Sequence, residues 1–176
     1  MKKLVRTLSQ RNALLVSGFV FLILCILTNT VFKQDFSYLT QTWGYTPESA
    51  HSLLLKIGEN GRKAHMLVFI SDIAMVVTYT LFLIGANYRT FSAWVKNCHT
   101  LSVIVFSPVL LALVQLGEIA ALAIFITHFD RGLDGSARLA NSLTVTKYYL
   151  IVICFVLPLI GLYGKIIKTK RGKEMV

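Results

Sequence analysis

Residues 100–129 read TLSVIVFSPVLLALVQLGEIAALAIFITHF, a run with one charged side chain, Glu118. As an α-helix it would be about 45 Å long at 1.5 Å per residue. That exceeds the roughly 30 Å hydrocarbon layer of a bilayer. Working outward, three more apolar blocks appear at 12–32, 64–86 and 148–164. The last belongs to a helix expected over 137–164, because no breaker interrupts the stretch between Ser136 and Pro158. Only 15% of the 176 residues are charged and 55% are hydrophobic, whereas soluble domains carry about a quarter charged. The pattern predicts an all-α fold, a four-helix transmembrane bundle formed as a single membrane domain over 1–176, with mostly short antiparallel connections. The longest connection, 33–63, has room for a short helix but not for a core of its own.

The net charge of +10 raises nucleic acid as a partner, and its placement argues against it. With the N-terminus in the cytoplasm, eleven Lys and Arg fall in inner segments and seven in outer ones. The outer connections also hold five acids, the inner ones only Glu174. The positive-inside rule counts bases and favours N-in, C-in. The basic tail KIIKTKRGK, residues 165–173, suits an anionic inner leaflet and lacks the interleaved aromatics of a nucleic-acid segment. The start MKKLVRTLSQR resembles the basic region of a signal peptide, but the following apolar stretch is long and no small-x-small site closes it, so it reads as an uncleaved first span.

Reactive motifs are scarce. Cys25 and Cys154 sit in apolar blocks and Cys98 in a short basic connection, with no metal-ligand spacing. HExxH, GxSxG and Walker patterns are missing. His65 and His128 stand near the outer ends of neighbouring spans, but their phases relative to the acids differ, so no haem is assigned. No metal and no cofactor are expected.

Residues 46–49, TPES, carry a helix start: Thr46 can cap, and Pro47 fits the first helical position, where its missing N–H costs nothing. A short outer amphipathic helix is expected over 47–57, with Leu53, Leu54 and Ile57 on its apolar face and Gly58 ending it. That face has two possible seats, lipid headgroups or the tops of the spans. Trp43 and Tyr45 suit the membrane interface. Residues 130–135, DRGLDG, read as a turn.

The most informative feature is a set of charges in the spans. Asp72 is about 24 Å above Tyr88, Glu118 about 28 Å above His99, and Lys147 about 27 Å above Lys165, by helical rise. All three share one level just below the outer boundary of the hydrocarbon layer. A charge at a span centre costs roughly 2.5–3.5 kcal/mol on insertion scales, and such residues tend to face inward and pair. Other polar groups share those faces. Spacing by seven puts His65 and Tyr79 with Asp72, spacing by three puts Gln115 with Glu118, and Asn141 and Thr144 lead to Lys147. The expected cluster is therefore Asp72, Gln115, Glu118, Asn141, Thr144 and Lys147, with His65 and Tyr79 as secondary candidates. Lys147 is expected to bridge the two carboxylates. Three readings stay open: a structural glue between helices, a ligand or substrate pocket, or a proton or ion path, the last without a visible relay in the inner halves.

The chain resembles a family of small bacterial four-span membrane proteins of unassigned function. The matching pieces are Tyr45-Thr46-Pro47-Glu48 (YTPE), Gly58-Glu59-Asn60-Gly61-Arg62 (GENGR), Asp72, Gln115 with Glu118 in place of a DxxEN motif, and the stretch from Leu143 to Lys147. The resemblance covers most of the chain from Tyr45 onward and implies the four-span layout and a bacterial plasma-membrane location. Two positions depart from the pattern: Gln115 stands for the first acid and Ile119 for the Asn, which puts a two-acid site on that helix in doubt. No activity comes with the resemblance.

Function is expected to be binding of a lipid, small molecule or partner through the cluster, near the outer leaflet. The alternatives are a membrane enzyme using Glu118 as acid or base and a small transporter, which at this size would need a homo-oligomer.

Overall fold

The computed structural model describes residues 2–31, 44–129 and 134–174. The described residues are helical with short turns, in the order α1 (Lys2–Leu8), α2 (Arg11–Val31), α3 (Pro47–Phe91), α4 (Cys98–Thr127) and α5 (Asp134–Glu174). Four of these are long and apolar enough to cross a membrane, and the protein is a multi-pass four-helix transmembrane bundle. Large apolar side chains such as Leu15, Phe19, Ile70, Leu113 and Leu159 are mostly exposed. In water such surface would be an aggregation hazard; in a bilayer it is the lipid-facing surface. Trp43 and residues 130–133 of the expected turn lie outside the described residues.

The short helix and the second span form one element, α3, with a sharp break at Gly58 (φ 66°, ψ −170°). The positive φ agrees with the expectation, but the ψ value differs from a left-handed helix cap. It belongs to a region that essentially only glycine enters. Before the break, the helix starts as the sequence implies. Thr46 and Ser49 cap each other: the Ser49 amide donates to Thr46 Oγ1 at 3.2 Å, and the Thr46 amide to Ser49 Oγ at 2.9 Å. After the break, Arg62 Nη1 donates to the Leu54 carbonyl at 3.3 Å, satisfying one of the acceptors left free at the end of that first segment.

The contacts divide into two units. One comprises Leu22–Val76 and Ala112–Tyr149. Its core joins Tyr45, Ala50 and Leu54 to Phe69 on α3, to Leu122 and Phe125 on α4 and Phe129 just after it, and to Ala137 and Ala140 on α5. Leu54 is fully buried, with Leu53 and Ile57 packed against this core. The short segment thus rests on α4 and α5 rather than on headgroups. Phe129 stacks on His51 (centroids 4.3 Å apart) and has the Arg62 guanidinium 4.6 Å from its ring centre.

The other unit comprises Met1–Phe21, Val77–Leu111 and Leu150–Val176. Here α1, unanticipated as a separate element, buries Val5 with Ile84 and Val105. The absence of a side chain at Gly85 lets the Leu8 carbonyl approach α3; a Cβ there would clash with it. Asn97 Oδ1 caps α4, accepting from the His99 amide at 2.9 Å. Pro108 has no N–H to offer Ile104 four residues back. Asn87, fully buried, supplies a replacement: its Nδ2 donates to the Ile104 carbonyl at 3.0 Å, and Ser107 Oγ donates to it at 2.9 Å. Replacing Asn87 with Leu is therefore expected to cost about 1 kcal/mol of stability. The cost should shrink in a Pro108→Ala background, where the restored amide can take over. A detergent unfolding series that finds the same cost in both backgrounds would contradict this account of Asn87.

All eleven bases assigned to the inner segments fall in this second unit, with one acid, Glu174; the first has seven of each sign. The net +10 is thus wholly in the unit that carries both termini.

Candidate functional site

α4 and α5 bring the site together at small residues. A Cβ on Gly117 would lie 3.4 Å from Leu143 Cδ1, in ordinary contact, and Ala137 and Ala140 are fully buried. One residue after Gly117 comes Glu118, only 1% exposed. Its Oε1 accepts from Thr144 Oγ1 at 2.6 Å and from Lys147 Nζ at 2.9 Å. Its Oε2 lies 2.7 Å from the same ammonium, so the ion pair embraces both oxygens. Thr144 also donates toward the Ala140 carbonyl at 2.9 Å. That contact holds its hydroxyl against its own helix and toward the carboxylate. The three-residue spacing from Thr144 to Lys147 is what lets one helix present both groups to one acid.

Asp72, on α3, is 7% exposed and close enough for its carboxylate to feel the charges of Lys147 and Glu118. The site therefore holds two acids and one base, all buried. Burial makes unpaired charge expensive and pairing obligatory. Lys147 also lies 5.3 Å from the centre of the Tyr148 ring.

Gln115 is half-buried one turn before Glu118. Asn141, one turn before Thr144, has its Oδ1 buried with no hydrogen-bond partner among the described residues. His65 is fully buried in the same unit and meets Phe69 edge-on, with centroids 6.0 Å apart. Tyr79 belongs to the other unit, where it meets Phe21 edge-on at 6.2 Å. Of the residues spaced by seven along α3, His65 and Asp72 fall in one unit and Tyr79 in the other. Cys25 and Thr28 on α2 face Met75 and Ser71; the Thr28 and Ser71 hydroxyls are 2.6 Å apart.

Tyr45 joins the site in a way that its aromatic character did not indicate. It is 5% exposed, packed inside the protein. Its hydroxyl lies beside Thr144 without completing a hydrogen bond of normal geometry among the described residues. Burial pushes the phenol up to about 12; the nearby Glu118 charge adds to the rise and Thr144 opposes it. Tyr45 is thus a neutral phenol throughout the physiological range. A signal was available: Tyr45 precedes the cap Thr46, and the residue in that place often folds onto the fourth helical residue, here Ala50. Both are in the same core.

No family model matches the chain, and no curated protein or solved structure matches it. The chemistry of the site therefore rests on its own geometry. It holds an acid–base pair already engaged, a second acid beside it, and the buried Tyr45 hydroxyl with unmet hydrogen-bonding capacity; Asn141 Oδ1, likewise unmet, stands one turn before Thr144 on α5.

Proposed function

We propose that this membrane protein binds a small polar or amphiphilic ligand through the cluster around Glu118, with that cluster near the outer leaflet of a plasma membrane. The observation that carries the reading is the surplus. Two helices need only the Glu118–Lys147 pair to be glued together, yet Asp72 and the Tyr45 hydroxyl are buried beside it, and Asn141, with its buried oxygen, stands one turn before Thr144 on the same helix. Formal charge there is one acid in excess of bases. The complementary ligand carries a hydrogen-bond donor, such as an amine, that meets Asp72 and Asn141. Buried polar groups without partners are costly unless something satisfies them.

An enzyme using Glu118 as general acid or base is the weaker reading. A general base must reach a substrate proton, and this carboxylate already accepts from Thr144 and Lys147. The resemblance to the bacterial four-span family supports gathering Asp72, Glu118 and Lys147 in one site. The distribution of bases supports N-in, C-in, an orientation in which the cluster would lie toward the outer leaflet. A reporter active only in the cytoplasm, fused after Val176, is expected to be active; activity only from an external reporter would reverse the orientation.

Mass analysis of molecules that co-purify with the full chain tests the binding reading. An amine-bearing ligand is expected with the wild type and should be lost in Asp72→Asn. Equal recovery from both proteins, or none from either across native lipid and metabolite extracts, would overturn it.

A further inference from the structure

A second site lies in the unit that carries the termini. Between α1, α3 and α4 is a half-enclosed pocket of about 330 Å³, within the range of ligand pockets, roughly 300–1,000 Å³. Its walls include Val5, Leu101, Val105 and Phe106, with Arg6 and Ser102 among its polar groups. Val5 and Val105 are almost fully buried, so the wall is firm, whereas Arg6 and Ser102 are exposed. The electrostatics are one-sided. The sequence segments of this unit contain eleven bases and a single acid, Glu174 near the chain end. Among the described residues no ion pair to Arg6 is seen, and its exposed guanidinium is open to an outside anion. In a bilayer the available anions are lipid phosphates, each nearby base contributing about 1 kcal/mol of attraction.

We propose that this pocket is a binding site for an anionic phospholipid, with an acyl chain against Val5, Leu101, Val105 and Phe106 and the phosphate at Arg6. An apolar cavity beside an exposed guanidinium, in a segment set almost devoid of acids, matches a chain joined to an anion. A soluble anion would leave the apolar walls unused. The short helix α1 is integral to the site, since it provides both Val5 and Arg6. This inference is independent of the cluster around Glu118.

Native mass spectrometry of the full chain in detergent, titrated with dioleoyl phosphatidylglycerol or dioleoyl phosphatidylcholine, tests it. Phosphatidylglycerol should bind more tightly. Arg6→Gln should weaken it about fivefold, the equivalent of one interfacial base. Arg11→Gln, which removes the same charge away from the pocket, should change it less than about twofold. Ser102→Trp, which keeps every charge but fills the pocket mouth, should abolish the selective binding. Soluble glycerol phosphate should fail to displace the lipid. Equal losses for Arg6→Gln and Arg11→Gln would mean diffuse attraction and overturn the site. So would no effect of Ser102→Trp, no preference for phosphatidylglycerol, or displacement by glycerol phosphate.

Discussion

Replacing Lys147 with alanine is expected to lower the unfolding free energy by about 3–5 kcal/mol, because it leaves the Glu118 carboxylate buried without its cation. Glu118 is 1% exposed and both its oxygens face the ammonium. Water cannot take over without opening the α4–α5 contact. Asp72, which senses the same lysine, would be left facing a second bare carboxylate. The double change Lys147→Ala with Glu118→Gln should cost less than the single one, since it removes the stranded charge while keeping an acceptor for Thr144. A full cycle in detergent, with both singles and the double, isolates this coupling. Additivity within about 0.5 kcal/mol would mean that the two side chains do not act on each other.

Gly58→Val is expected to cost roughly 1–3 kcal/mol, the strain of holding a side-chain-bearing residue where only glycine sits comfortably. At φ 66° and ψ −170° a β-branched residue has no relaxed option, so the break in α3 must reshape. Straightening it would pull Leu54 out of the core it shares with Phe125 and Phe129, and would separate Arg62 from the Leu54 carbonyl. Faster tryptic cleavage at Lys56 should accompany the lower melting point. Wild-type stability and cleavage in the valine variant would show that the break tolerates any residue.

The spans were legible because bilayer thickness imposes a length on apolar runs that no other environment requires. The apolar run 12–32 overlaps α2 (Arg11–Val31), and the TPES signal stands at the start of α3. The coplanar charges were legible for the same reason: helical rise converts sequence position into depth. The spacing of Thr144 and Lys147 identified two residues that meet one carboxylate. Depth says nothing about lateral packing, however. That Tyr45 packs with Leu54, Leu122 and Phe125 is a lateral contact of this kind. Asn87 was invisible as a functional partner of the backbone. Its role exists only because Pro108, on a different helix, frees the Ile104 carbonyl beside it. Likewise α1 reads as part of a basic leader until Gly85 is seen to admit the Leu8 carbonyl.

The cluster around Glu118 is proposed to serve a ligand and not only the bundle. A site kept for function generally costs stability, whereas a structural contact adds to it. The most direct measurement is therefore a pair of readings on one variant, Asn141→Leu: thermal stability in detergent and recovery of the co-purifying ligand. The melting temperature is expected to be unchanged or higher, since a buried oxygen without a partner among the described residues is removed, and the ligand is expected to be lost. A lower melting temperature with the ligand still bound would contradict the proposal, and would make Asn141 a structural residue of the bundle.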